Sequence, residues 1–146
     1  MIENEMKLTI PSRSANESFA RVAVTAFFAQ LDPTIDEIAD IKTAVSEAVT
    51  NCIVHAYKET IGKIHITAQI HEDHRVVVRI RDTGCGIPDI DQAMEPLYTT
   101  CDNGERAGLG FAVMQSFMDK VKVYSREGRG TTVVLTKKLI SRDSHD

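Results

Sequence analysis

The chain has 146 residues, 42% of them hydrophobic and 26% charged, a composition that fits one soluble globular domain with a real core. A net charge of −4, no Trp and only 5% aromatic residues argue against nonspecific binding to nucleic acid or anionic lipid, and against a base-stacking platform. No apolar run approaches the roughly 20 residues of a membrane span, and "MIENEMKLTI" lacks the basic-then-apolar pattern of a signal peptide, so a cytoplasmic protein is expected.

In chain order, "MKLTI" (6–10) suits a first strand. Ser14 and Glu17 have the S-x-x-E spacing of a capping box, which predicts a helix with Phe19, Val22, Ala23, Ala26 and Phe27 on its inner side. Thr34 and Glu37 repeat that spacing after Pro33, and a second helix is expected from about Ile35 to Tyr57. "GKIHITAQI" (62–70) alternates like a strand, "HEDH" turns, and "RVVVRIRD" (75–82) is a second such strand. Residues 83–107 hold glycines, two prolines and polar residues and read as loop, with a short helix near 89–94. Gly108 to Asp119 reads as helix. "KVKVYS" (120–125), "REGRG" and "TTVVLTKKL" (131–139) read as a closing hairpin, and the tail "SRDSHD" as frayed. The order β-α-α-β-β-loop-α-β-β predicts one α+β domain over 1–146, with helices layered on one mixed, mainly antiparallel sheet.

Cys52, Cys85 and Cys101 are far apart and form no CxxC. An odd number without metal-ligand spacing suggests neither a disulfide framework nor a zinc site, and free thiols are expected.

On the second helix, Ile38, Ile41, Val45, Ala48 and Cys52 fall on one apolar stripe. Glu47, Asn51 and His55 drift by only about 40° per step and form an adjacent stripe. By itself this is either a solvated flank or a row of functional groups at the edge of the core. In "RDTGCGI" a strand ends in Asp82 and turns on Gly84 and Gly86. Glycines there permit close approach of the backbone to a ligand, and the carboxylate can accept from an exocyclic amine; a plain tight turn has the same look. "GERAGLGF" (104–111) delivers Gly108 and Gly110 into a helix start, where backbone N–H groups can bind phosphate. It lacks the P-loop lysine, and no βαβ unit surrounds it.

Together and in this order, "ExxxNxxxH" (47–55), "DxGxG" (82–86), "GLGF" (108–111) and "GRGTT" (128–132) resemble the N, G1, G2 and G3 boxes of the GHKL ATPase/kinase superfamily, which has the Bergerat fold. "SRSANESFARVAVTAFFAQLDPT", "DIKTAVSEAVTN" and "EPLYTT" extend the resemblance to the anti-sigma F family of endospore-forming bacteria, over about residues 4 to 137.

That resemblance implies an ATP-dependent protein-serine kinase that also holds sigma F inactive as a homodimer and phosphorylates a small anti-anti-sigma protein. It implies no direct contact with nucleic acid or membrane. It casts Asn51 as the ligand of a Mg²⁺ ion bridging the phosphates of ATP or ADP, and Glu47 as the general base for the attacking serine. Asp82 would receive the adenine amino group, with Gly84 and Gly86 passing the base and Thr131 beside it. Residues 96–108 would be a lid, in which Thr100 contacts the nucleotide and Arg106 reaches the γ-phosphate. Gly108, Leu109 and Gly110 would give backbone contacts to phosphate. The lid departs from the family pattern at "CDNGERAG", where Cys101 replaces the usual lysine and Gly104 adds flexibility. Arg21 matches a first-helix arginine that contacts protein partners. His55 is a candidate for a supporting role or an ordinary helix histidine, and Cys85 is read as incidental. The rival readings are the same chemistry in a general-stress (sigma B type) pathway and a nucleotide-dependent binding module without catalysis. A sensor histidine kinase or a gyrase-like ATPase would need a further domain.

Overall fold

The strands assemble where the alternation predicts them, because β-branched side chains on one face of each can be buried together. The computed structural model describes residues 1–57, 60–85 and 107–140, with side chains of the last span from residue 110 onward. Strands β1 (Ile2–Pro11), β2 (Lys63–His71), β3 (Arg75–Asp82), β4 (Lys120–Arg126) and β5 (Gly130–Lys138) form one sheet in the order β1-β2-β3-β5-β4. Every neighbouring pair is antiparallel, so the sheet is purely antiparallel among the described residues rather than mixed. β1 is longer than the expected 6–10. The "HEDH" turn is a 3₁₀ turn with Asp73 and His74 in the left-handed region.

Helices α1 (Ala15–Phe28), α2 (Ile35–Asn51) and α3 (Ala107–Phe117) cover one face. Ile64, Ile66, Val78, Ile80 and Leu135 of the sheet meet Val24 and Phe28 of α1, Ile41, Val45 and Val49 of α2, and Phe111 and Met114 of α3. Each such fully buried large side chain contributes about 1.5–3 kcal/mol. The Thr34–Glu37 capping box is present in both directions, and Glu37 Oε2 also accepts from the Ile140 N–H at 2.8 Å.

Two expectations about α1 fail. Ser14 is in the helical region and its side chain makes no cap. The Glu17 carboxylate is instead taken by the Ser46 hydroxyl at 2.8 Å and by Arg21 at 3.7 Å. The inner side is formed by Ala20, Val24, Thr25 and Phe28, whereas Phe19 and Val22 are exposed, at 52% and 54%. The helix carries two apolar stripes, and periodicity cannot tell which one meets the sheet.

The short helix expected near 89–94, the body of the lid and the tail from 141 lie outside the described residues.

Candidate functional site

α2 does not end as a regular helix. Cys52–Ala56 continue it as a π-helical turn, in which the Tyr57 N–H reaches the Cys52 carbonyl at 3.2 Å. This wider turn meets the loop that follows β3. The Ala56 carbonyl accepts from the Cys85 N–H at 3.1 Å, and the His55 carbonyl contacts the Cys85 sulfur at 3.3 Å. Gly84 packs so closely that a Cβ there would collide with the Ala56 carbonyl oxygen. The first glycine of "DTGCG" is therefore required by steric contact with the end of α2.

Asp82, the last residue of β3, is 5% exposed. Its Oδ1 accepts from the Gly84 N–H at 2.9 Å, an Asx-type turn, and from the Thr131 N–H at 3.3 Å. Its Oδ2 accepts from the Cys52 thiol at 3.4 Å. Burial pushes its carboxyl above the ordinary value, opposed by those three hydrogen bonds and by the charge of Arg81. Burial, and then the charge of Asp82, pushes the Cys52 thiol well up. A carboxylate has about four acceptor positions, so Oδ2 retains capacity for a further donor.

Thr131 stands directly opposite Asp82 on β5, and its hydroxyl pairs with Ser125 at 2.8 Å. Gly130 has φ +115°, and a Cβ there would strike the Asp82 carbonyl oxygen. Only glycine fits this crossing of the β5 start over the β3 end.

Glu47 and Asn51 come together where α2 faces α3. A Cβ built on Gly110 would lie 3.2 Å from Glu47 Oε2 and 3.4 Å from both amide atoms of Asn51. The missing side chain of Gly110 thus leaves the carboxylate and the amide a shared space at the start of α3. Asn51 Nδ2 is buried and has no hydrogen-bond partner among the described residues. Among the described residues no group of three or more His, Cys, Asp or Glu side chains could hold a metal. One amide oxygen beside a carboxylate, with room left between them, fits Mg²⁺, which keeps several waters and takes few protein ligands.

The structure therefore brings Glu47, Asn51, Asp82, Gly84, Gly110 and Thr131 to one end of the helix layer. Gly108 and Leu109 lie in the first turn of α3. Gly86, Thr100, Cys101, Gly104 and Arg106 lie outside the described residues. Arg21 is remote, on α1. His55 is buried rather than on a solvated flank.

The free-thiol expectation holds for Cys52, which is free and buried, and fails for Cys85, which is disulfide-bonded. Sequence reasoning also missed Cys52 as a donor to Asp82, having placed it only in the apolar stripe. It missed Tyr57, whose hydroxyl accepts from the Thr83 N–H at 2.7 Å, donates to the Lys63 carbonyl at 2.7 Å and is roofed by Gly62. A tyrosine at the end of the apolar pattern was the available signal.

Residues 10–137 match the family model described as the histidine kinase-like ATPase domain. The chain is 59% identical over 134 residues to an anti-sigma F factor of Caldanaerobacter subterraneus, covering 92% of this chain and 93% of that one. It is 57% identical over 140 residues to one of Clostridium beijerinckii, covering 95% and 97%. With one of Bacillus subtilis it shares 52% identity over 139 residues, 94% of each. The RsbU and RsbW domains of a Mycobacterium tuberculosis protein superpose with a TM-score of 0.68 at 22% identity, covering 93% of this chain and 32% of that one. A histidine kinase domain of Erythrobacter litoralis superposes at 0.56 and 18% identity, covering 84% and 61%. The two superpositions show the shared fold.

Proposed function

Because the chain belongs to the histidine kinase-like ATPase family and, within it, to the anti-sigma F factors, we propose that it sequesters sigma F and, using Mg-ATP, phosphorylates a serine of an anti-anti-sigma protein. The observation that carries the catalytic part is the shared space of Glu47 and Asn51 against Gly110. Asn51 would hold Mg²⁺ through its amide oxygen. When bound, the ion neutralises and orients the phosphate oxygens of ATP.

Glu47, one turn from Asn51, takes the proton of the attacking serine hydroxyl. The new bond joins the serine oxygen to the γ-phosphorus, the bond from that phosphorus to the bridging oxygen breaks, and ADP leaves. Asp82 accepts from the adenine amino group through Oδ2, which favours ATP over GTP. Gly108, Leu109 and Gly110 offer backbone contacts to phosphate, and Arg106 the γ-phosphate charge. Gly86, Thr100 and Thr131 complete the nucleotide contacts.

Residues 1–146 form a single ATP-binding kinase domain that works as a cytoplasmic homodimer, without direct nucleic-acid or membrane contact. No helix among the described residues is long and apolar enough to cross a membrane. Arg21 contacts a protein partner. The exposed Phe19 and Val22, three residues apart on the same helix, support that use of α1.

The test is Glu47→Gln, which keeps shape and helix propensity but removes the base. Transfer of radiolabelled γ-phosphate to the purified anti-anti-sigma protein should fall roughly 10²–10⁴-fold, with ATP binding retained. Wild-type transfer by this variant would remove Glu47 from the mechanism, whereas no transfer by the wild-type protein itself would leave the nucleotide-dependent binding module as the better reading.

A further inference from the structure

The face of the sheet turned away from the helices carries an arrangement that the nucleotide site does not use. The register sets His65, Arg81 and Thr132 side by side on β2, β3 and β5. In the next outward row, Lys7, Thr67 and Arg79 lie side by side on β1, β2 and β3. Strands are about 4.8 Å apart, and successive outward residues on one strand about 6.7 Å apart, so all six converge on one small area. They line a concavity of about 400 Å³ that contains no carboxylate.

The charge there is only weakly compensated, by Glu5 beside Lys7 and by Asp82 next to Arg81. Arg79 and Arg81 are like charges at neighbouring outward positions, and neither forms an ion pair among the described residues. Lys7 touches Glu5 only at 4.0 Å, from a side chain 75% exposed. His65 is held to the Thr9 hydroxyl through Nδ1 at 3.1 Å. Burial, and then the charges of Arg81 and Lys63, hold its imidazole below the ordinary histidine value. A chain with net charge −4 has thus gathered fixed cations and hydroxyl donors on one concave spot.

We propose that this concavity on the outer sheet face is a second anion site, which takes a small phosphate-class oxyanion. Guanidinium forks match the geometry of phosphate oxygens, and the Thr67 and Thr132 hydroxyls supply further donors. The concavity spans only two residue rows, is lined by no Phe, Tyr or Trp, and its one imidazole, His65, is tied to Thr9; these features favour a small anion over a nucleic acid strand.

The experiment is an amide and imidazole NMR titration of the full chain with inorganic pyrophosphate at constant ionic strength. Saturable shifts at Thr67, Arg79 and Thr132 are expected, with an upward move of the His65 pKa as the anion offsets its cationic neighbours. The pair Lys7→Gln and Arg79→Gln should weaken these shifts about tenfold or more, and Lys7→Gln alone less, at an exposed position that the fold tolerates. Asn51→Ala should leave them in place, which separates this site from any pyrophosphate held at the nucleotide end. Shifts that do not saturate, that sodium chloride reproduces, or that survive the double substitution would overturn the proposal. So would saturation by a short DNA duplex but not by pyrophosphate.

Discussion

The thiol of Cys52 donates to Oδ2 of Asp82 at 3.4 Å, across the junction of α2 and β3. A residue from the apolar stripe of one box thus supports the carboxylate of the next. With Gly84 and Thr131 on Oδ1, it holds an anion in a place where burial favours the neutral acid.

That opposition predicts a pH dependence. The folded-state pKa of Asp82 is raised above its ordinary 3.8. Its contribution to stability is therefore fully present below about that pH and is lost as pH rises through the folded pKa. Asp82→Asn lacks this titration, and all other groups cancel in the comparison. We predict that the stability of wild type relative to the variant falls as pH rises above 3.8, read from urea melts at a series of pH values. Over the same window ATP binding by wild type should strengthen, since only the ionised form is a full acceptor. A relative stability that grows with pH would contradict the burial argument.

Asn51→Ala should abolish Mg²⁺-dependent ATP binding with the fold intact. Its amide nitrogen is buried without a hydrogen-bond partner among the described residues, so no hydrogen bond of that atom to them is lost. Calorimetry with Mg-ATP, run beside circular dichroism, decides it; wild-type binding would remove Asn51 as the metal ligand.

Gly110→Ala should separate stability from activity. Alanine is favoured over glycine in a helix by about 1 kcal/mol, so melting should hold or rise. The new methyl would sit 3.2 Å from Glu47 Oε2, forcing the base to shift. Misplacement of a reacting group is costly, and phosphoryl transfer should fall by about tenfold or more. Unchanged transfer at unchanged stability would mean that Glu47 and Asn51 need no free space between them.

Arg21→Glu should weaken partner binding about tenfold or more while ATP affinity stays near wild type, because reversal adds repulsion to lost attraction. The variant also faces Glu17, now 3.7 Å from Arg21, at a stability cost of about 0.2–0.5 kcal/mol. Equal retention of sigma F by mutant and wild type would rule out this contact.

Much of the fold was legible because one face of each central strand is buried and the other is wet. β3 was bounded correctly at Arg75 and Asp82 for this reason. The second capping box was legible because Thr34 is extended and free to cap, whereas Ser14 has the same spacing in helical backbone. Glu47, Asn51 and Asp82 stood out as polar residues against apolar patterns, but periodicity left them open to a solvated flank and a plain turn, and only the resemblance of the four boxes in order gave them roles. The inward face of α1 was not legible, since both of its stripes are apolar and only the sheet selects Val24 and Phe28. Neither were the tertiary partners of Cys52 and Tyr57, which come from strands distant in sequence.

The wide turn at Cys52–Ala56 carries one residue more than an α-helical turn would. Removing one residue there would rotate everything beyond it by about 100°, taking the Ala56 carbonyl away from Gly84 and Cys85. The exposed side chain of Val54 could change with little effect on that junction, but the count between Asn51 and Tyr57 could not. Tolerance of substitution and tolerance of insertion or deletion part company in this segment. Over the course of evolution its length should drift far less than its composition.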